Sequence, residues 1–284
     1  MRLPDLREAA RLVFVDARIG DDELNLYANE ALLTAATQVF LPDLEAAASV
    51  VVPAGADSVS LPGNFQRELF SCRNGEGGRV AVLKQPRDME RREHGCPTPG
   101  LIQAVAAVGT RLLRVWPKPE AEETLVLGYY RRPHLLEQQV GSVAFDAAAK
   151  AFTATEPIFG RFRYGDVLTI QGSAQNDKVF TVVSATSDVC VVAENVADEP
   201  AVAVDVLALD VEAVPEELHR NVLVGGILAR AYETKEDALE GKRNTDRFMA
   251  LTEKAFKELK MAINATGYRA RTADCGEIRR RPLC

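Results

Sequence analysis

The chain has 284 residues, 47% of them hydrophobic and 26% charged, enough for one large or two modest globular domains with buried cores. Its net charge of -7 argues against broad, sequence-independent wrapping of nucleic acid, which draws its affinity from many Lys and Arg contacts to phosphate, but does not exclude a protein that DNA merely passes through. No apolar run is long enough to span a bilayer, and Met1-Arg2-Leu3-Pro4-Asp5 lacks the basic-then-apolar layout of a secretion signal, so a soluble protein made in a cytoplasm is expected.

The first segment reads as two helices. Leu6, Ala9, Ala10, Val13 and Ala17 recur at helical spacing after Pro4, and Gly20 ends the run. Asp21 or Asp22 is the expected cap of the second helix, whose stripe is Leu24, Ala28, Ala31, Leu32, Ala35 and Val39. From Val50 the texture changes to short β-rich runs divided by Pro and Gly: Val50 to Val52, Val59 to Leu61, Arg79 to Lys84, a strand near Ile102 to Val108, Arg111 to Trp116, and Thr124 to Tyr130. They predict a small antiparallel sheet, with a helical turn or two at Asp88 to Glu93. Pro117-Lys118-Pro119-Glu120 is expected to join its two flanking strands as a hairpin.

Residues 135–209 form a second compositional unit. Phe145, Phe152, Phe159 and Phe162 precede strands expected at Val167 to Gln171, Lys178 to Ser184, Val189 to Ala193 and Ala201 to Leu209. Closing so many short strands calls for a small β-barrel or sandwich. Helices return after Pro215, with Leu218, Val222, Leu228, Ala229 and Tyr232 on one apolar side. Gly225 and Gly226 inside that helix each cost about 1 kcal/mol against alanine, so they mark close approach of another backbone. Thr245 is the expected cap of a last helix with a Phe248, Leu251, Ala255, Leu259, Ile263 stripe, ending at Gly267.

The reading is therefore α+β. A helical bundle formed by both chain ends and a small antiparallel β-sheet make one core from residues 1–134 and 210–266. A small β-barrel or sandwich, 135–209, is inserted into it, and 267–284 is an extended basic C-terminal arm carrying Arg269, Arg271, Arg279, Arg280 and Arg281.

Nothing in the sequence spells out catalysis. There is no nucleophile elbow, Walker loop, dinucleotide fingerprint or His-Glu-x-x-His, so no catalytic residue, cofactor site or metal site is assigned. The five cysteines, Cys72, Cys96, Cys190, Cys275 and Cys284, are scattered and odd in number, and His94, His134 and His219 are not paired at ligand spacing. Gly75-Glu76-Gly77-Gly78 lacks the lysine and helix of a phosphate cradle and reads as a hairpin tip. Asp205, Asp210 and Glu212 do not have the spacing of a calcium loop.

Four segments carry a resemblance: Ser60-Leu61-Pro62-Gly63-Asn64-Phe65-Gln66-Arg67-Glu68-Leu69-Phe70, Leu113 to Pro119 (LRVWPKP), Gly128 to Pro133 (GYYRRP) and Val214-Pro215-Glu216-Glu217-Leu218-His219. Their order resembles that of tailed-phage head-to-tail adaptor proteins, also called connector proteins. The segment Gly165 to Ser173, with Asn176-Asp177, Phe180 to Val182 and Glu194 to Val196, is similar to β-modules that recur in phage structural proteins. The resemblance implies a non-enzymatic virion protein of the neck, assembled in the host bacterial cytoplasm. It further implies a homo-oligomeric ring of twelve copies seated on the portal protein, in contact with a tail tube or nozzle protein, with genomic DNA passing through without sequence-specific binding and no membrane involved. The arginines of the arm are then expected to dock on the portal. A different reading is a tail-associated binding module whose inserted β-domain recognises a host surface or another tail protein.

Overall fold

The computed structural model describes residues 1–14, 19–93, 99–211, 214–235 and 238–265. In chain order these form α1 (Leu3–Arg11), α2 (Asp21–Gln38), β1 (Glu45–Val52), β2 (Ser58–Ser60), β3 (Phe65–Asn74), β4 (Arg79–Val82), α3 (Arg87–Glu93), β5 (Ala104–Val108), β6 (Leu112–Trp116) and β7 (Glu123–Arg131). They continue with β8 (Glu137–Asp146), β9 (Ala151–Ala154), β10 (Val167–Gln171), β11 (Val179–Ala185), β12 (Val189–Val192), β13 (Glu199–Ala208), α4 (Gly225–Lys235) and α5 (Ala238–Ala265). The fold is α+β and divides into two compact units, one from Met1–Asp43 with the segment that begins at Pro133, the other Leu44–Arg132.

In the Leu44–Arg132 unit a seven-stranded sheet runs β1-β7-β3-β4-β5-β6-β2. All its neighbours are antiparallel except β4 and β5, which pair in parallel through Ala81–Ala104 and Val82–Val105, so the expected antiparallel sheet is in fact mixed. The expected hairpin between Leu112–Trp116 and Thr124–Tyr130 does not form: β6 pairs with β5 and β2, and β7 with β1 and β3. The intervening prolines hold the chain out as a link. Its carbonyls are taken by other loops, Pro119 O by the Gly55 N–H at 2.8 Å and Lys118 O by the Gly100 N–H at 3.0 Å, and no tight turn closes. The core here is Val52, Leu69, Val105, Leu113, Val115, Leu125, Leu127 and Tyr129.

One strand of this sheet has no counterpart in the sequence reading. β3 carries its buried residues Phe65, Leu69 and Cys72 at spacings of four and three, which mimics a helix. Three register irregularities against β7, and Glu68 at φ 44°, produce that spacing; bulges of this kind replace the two-residue alternation of a regular strand. The glycine cluster is the β3–β4 hairpin tip: the Asn74 N–H donates to Gly78 O at 2.9 Å, Asn74 Oδ1 accepts the Gly78 N–H at 2.6 Å, and Gly77 takes φ 86°.

In the other unit, β10-β11-β12-β9-β8-β13 close into a barrel. Four of its strands lie within two residues of their expected positions, while β8 and β9 are additional. Phe152, Phe159, Phe162 and Phe180 fill the interior with Leu168, Ile170 and Val206; Phe152 meets Phe180 and Phe145 edge-on, at 4.8 and 5.2 Å between ring centres. Such pairs add about 0.5–1.5 kcal/mol beyond their buried area. The Cys190 thiol sits in this core and burial pushes its pKa up to about 12; Cys72, in the other unit, is raised to about 12 in the same way. Both are free and buried, which keeps them protonated and inert.

Apart from α3, the helices lie in the unit that holds the barrel. α2 starts one or two residues earlier than a cap at Asp21 or Asp22 would place it. Gly20 is its cap, with its N–H on Glu23 Oε2 at 3.3 Å, and Asp21 is instead its first helical residue, bonded to Arg11 at 2.5 Å. All six residues of the expected α2 stripe are buried. After Pro215 a short 3-10 turn (Glu216–Leu218) leads into a π-helical stretch, Arg220–Val224, and then α4. The wider π turn lets three consecutive residues, Val222, Leu223 and Val224, all be buried. α5 begins seven residues before Thr245, so Thr245 is not a cap; its hydroxyl donates to Ala229 O on α4 at 3.3 Å. Leu251 is 47% exposed, and Thr252 and Phe256 take the buried positions of α5 beside Phe248, Ala255, Leu259 and Ile263.

Candidate interaction site

α4 lies between α2 and α5 at close range. Its two glycines point to different neighbours: a Cβ on Gly226 would stand 2.7 Å from Ala31 Cβ on α2, and one on Gly225 would stand 2.9 Å from Thr252 Oγ1 on α5. Carbon atoms in contact settle about 3.5–4.0 Å apart, so the α2–α4 approach has room for hydrogen alone. Thr252 is 6% exposed and bonds Phe248 O at 2.8 Å, which holds its Oγ1 toward Gly225. Around this seam, Tyr27 Oη and Thr234 Oγ1 meet at 2.8 Å, Arg230 reaches Glu30 at 3.1 Å and Glu233 at 2.7 Å, and Tyr232 stacks on Phe248 with ring centres 5.4 Å apart. A groove of about 240 Å³ is lined by residues of α2, α4 and α5, among them Ala31, Gly226, Ala229, Thr252, Met249 and Phe256, with Glu30, Glu233 and Glu253.

A second polar cluster joins α2 to the barrel, and the sequence reading missed it. Glu137, at the start of β8, is 1% exposed. Its Oε1 accepts from Asn25 Nδ2 at 3.0 Å and from the Gln138 N–H at 3.2 Å, and its Oε2 accepts from Arg161 at 2.9 Å. Beside it Asn29 copies a strand partner, donating to Leu136 O at 2.7 Å and accepting the Leu136 N–H at 2.8 Å, while Arg7 donates to Gln138 Oε1 at 2.6 Å. These groups fix the entry of the barrel on the helices. The one signal available was Asn25 and Asn29, polar residues inside an otherwise apolar helical stripe.

The remaining candidates fall into structural positions. His219 is 3% exposed; its Nε2 lies 2.6 Å from Val214 O and its Nδ1 3.0 Å from the Met1 amine. Nε2 therefore carries the proton and Nδ1 accepts. Burial, with the Met1 charge adding, holds its pKa below the usual histidine value. His134 lies 4.0 Å from Asp166, a buried carboxylate that accepts the Leu135 and Arg163 N–H groups at 3.3 and 2.7 Å. Asp210 is paired with Arg2 at 2.8 Å. Glu212 and the arm residues Arg269, Arg271, Arg279, Arg280 and Arg281 lie outside the described residues.

The site is thus an assembly of close-packed helices and their polar ties, with an exposed groove above them. The family model of the SU10 adaptor protein matches residues 1–152. The chain belongs to the SU10 adaptor protein family. It is a phage structural adaptor, of a family that associates with other phage head and tail proteins and is structural in kind. The matched part takes in α1, α2, the whole mixed sheet and the first barrel strand, with the Asn25–Glu137 tie inside it. Among curated proteins no sequence matches this chain. No helix among the described residues is long and apolar enough to cross a membrane.

Proposed function

We propose that this chain is the subunit of a head-to-tail adaptor ring, twelve copies seated on the portal of a tailed phage and extending its DNA channel toward the tail tube or nozzle. The observation that carries the reading is the family match over the N-terminal helices and the sheet. In this reading the work is geometric: identical subunits meet side to side by a heterologous contact whose rotation closes. The helices of both chain ends act as one bundle, the rigid part of each subunit. Contacts between them in the folded chain, Phe14 with Tyr232 at 4.7 Å, Tyr27 with Thr234 and Ala31 with Gly226, support it.

The barrel, 135–209, is a guest inserted into that core. The pairing of its first and last strands supports this, since Glu137 opposite Ala208 brings both ends of the segment together, as an insertion requires. The arm 267–284, with its five arginines, docks on the portal, where guanidinium groups fit carboxylates of a neighbouring protein; ordering on a partner is a common use of such ends. DNA then passes through the ring without sequence-specific contacts.

The test is loading onto portal-bearing heads. The full chain is expected to load and a chain lacking Thr272 to Cys284 to remain folded but unbound. Equal loading of the two removes the arm from the mechanism, and failure of the full chain to load removes the adaptor reading itself.

A further inference from the structure

The outer face of α5 carries a line of basic residues, of which Lys254 approaches Glu258 at 4.0 Å and Arg247 lies over the Phe248 ring. Arg243, Arg247, Ala250, Lys254, Lys257 and Met261 follow one another at spacings of four and three, which puts them on one line along a helix. All six are exposed, Met261 at 71%. They lie opposite the face that holds Phe248, Thr252, Ala255 and Leu259 against the rest of the unit. The protein as a whole has a net charge of -7, whereas this line holds four cations and an exposed methionine, with Asp246 and Glu258 to either side of it.

α2 has the complementary pattern. Its 18 residues contain no Lys or Arg and four acids; Asp21 is tied to Arg7 and Arg11 and Glu30 to Arg230 within the subunit, while Asp22 is exposed at the start of the helix. Its outward face carries Leu26, 43% exposed, and Leu33, 48% exposed, seven residues apart and therefore in line, beside Asp22 and Glu23. The two faces also agree in length. At 1.5 Å per residue both the Arg243–Met261 line and α2 extend about 27 Å. Within one subunit they cannot meet, because α2 packs on α4 with its opposite side, through Ala31 at Gly226.

We propose that the basic line on α5 docks against the acidic, leucine-bearing face of α2 in a second copy of this chain. The contact is heterologous, so each subunit offers α5 to one neighbour and α2 to the other, which is what a closing ring needs. Leu26, Leu33 and Met261 supply the apolar contact, and the charges set register and exclude like-charged pairings. The inference rests on the ring reading above and names its interface.

The arrangement predicts an unusual rescue. Variant one reverses α5 (Arg243→Glu, Lys254→Glu, Lys257→Glu); variant two reverses α2 (Asp22→Lys, Leu33→Lys). All these positions are exposed, and circular dichroism and thermal unfolding check that both variants fold. Ring formation is scored by native mass spectrometry in solution and by imaging of portal-bearing heads. In each variant alone the changed side chains face like charges across the contact, so each should fail to form rings, whereas an equimolar mixture should form rings in which the two alternate, which an even copy number permits. The inference is overturned if either variant assembles alone as the wild type does, or if both fold and the mixture fails. It is also overturned if the wild type binds duplex DNA and variant one loses that binding while still assembling, since the line would then be a nucleic-acid surface. Wild type that never loads on heads defeats the adaptor reading; wild type and variants that all load equally defeat this interface alone.

Discussion

Replacing Gly226 by alanine tests the packing of the helices with a single methyl group. The added Cβ would lie 2.7 Å from Ala31 Cβ and 3.5 Å from Ala31 Cα, an overlap of about 1 Å with the methyl against a preferred carbon separation of about 3.5–4.0 Å. Neither partner can swing aside, since alanine has no rotamer and both residues sit in helices. The helices must part instead, at a cost in the upper part of the range for overpacking, about 2–3 kcal/mol. Alanine returns about 1 kcal/mol in helix propensity, so a net loss of about 1–2 kcal/mol is expected. Gly225→Ala should cost less, because the atom it meets, Thr252 Oγ1 at 2.9 Å, is a side-chain hydroxyl that can turn away. The diagnostic is the exchange Gly226→Ala with Ala31→Gly. It removes the clash, leaves the helix propensities balanced, and should restore stability to within about 0.5 kcal/mol of wild type, a strong coupling for two touching sites. Urea unfolding followed by far-UV circular dichroism reads wild type, Gly225→Ala, Gly226→Ala, Ala31→Gly and the exchange. Gly226→Ala as stable as wild type, or an exchange no better than the single variants, would refute the close approach.

Glu137→Ala removes the acceptor that Asn25, Gln138 and Arg161 share. Asn25 Oδ1 is already buried without a partner, so stranding Nδ2 as well should cost about 2–3 kcal/mol, measured by thermal unfolding; a loss below about 0.5 kcal/mol would mean that the cluster is not held by this carboxylate. His219 gives a pH dependence of defined sign. Its folded pKa lies below the value of 6.5 it has when exposed, so below that pH the unfolded chain binds the extra proton first, and stability must fall as pH drops beneath about 6.5. Above that window its contribution is flat. The slope of stability against pH just below 6.5 should be smaller in His219→Gln, and an unchanged slope would assign the effect elsewhere.

The helices and the barrel were the legible parts of this sequence, each for a physical reason. α2 shows its buried face because small and branched apolar residues recur at Leu24, Ala28, Ala31, Leu32 and Ala35, and the barrel strands are short and rich in Val, Ile and Phe between turn residues. β3 stayed hidden because its bulges give it helical spacing, and β8 because Gln138, Gln139, Gly141 and Ser142 weaken its apolar alternation. The β6–β7 hairpin was a misreading of chain proximity as pairing; what decides pairing is which edges are open, and β6 found β2 and β5. Thr245 looked like a cap because a hydroxyl mid-helix and one at a helix start are the same in sequence; only the Ala229 carbonyl beside it shows which it is. At the seam, Gly225-Gly226 was visible as a costly pair within a helix, while the identity of its neighbours, Ala31 and Thr252, needed the fold. The Glu137 cluster showed only in Asn25 and Asn29, polar residues within an apolar stripe, because their partners Glu137 and Leu136 lie more than a hundred residues away in sequence.

The central claim is a ring of this chain between head and tail, and imaging virions at their necks by electron cryomicroscopy tests it most directly. A collar of twelve copies on the portal is expected, with α5 of each copy against α2 of the next and DNA along the axis. A neck whose collar contains no density that fits this fold, with the chain found elsewhere in the particle or not at all, would contradict it.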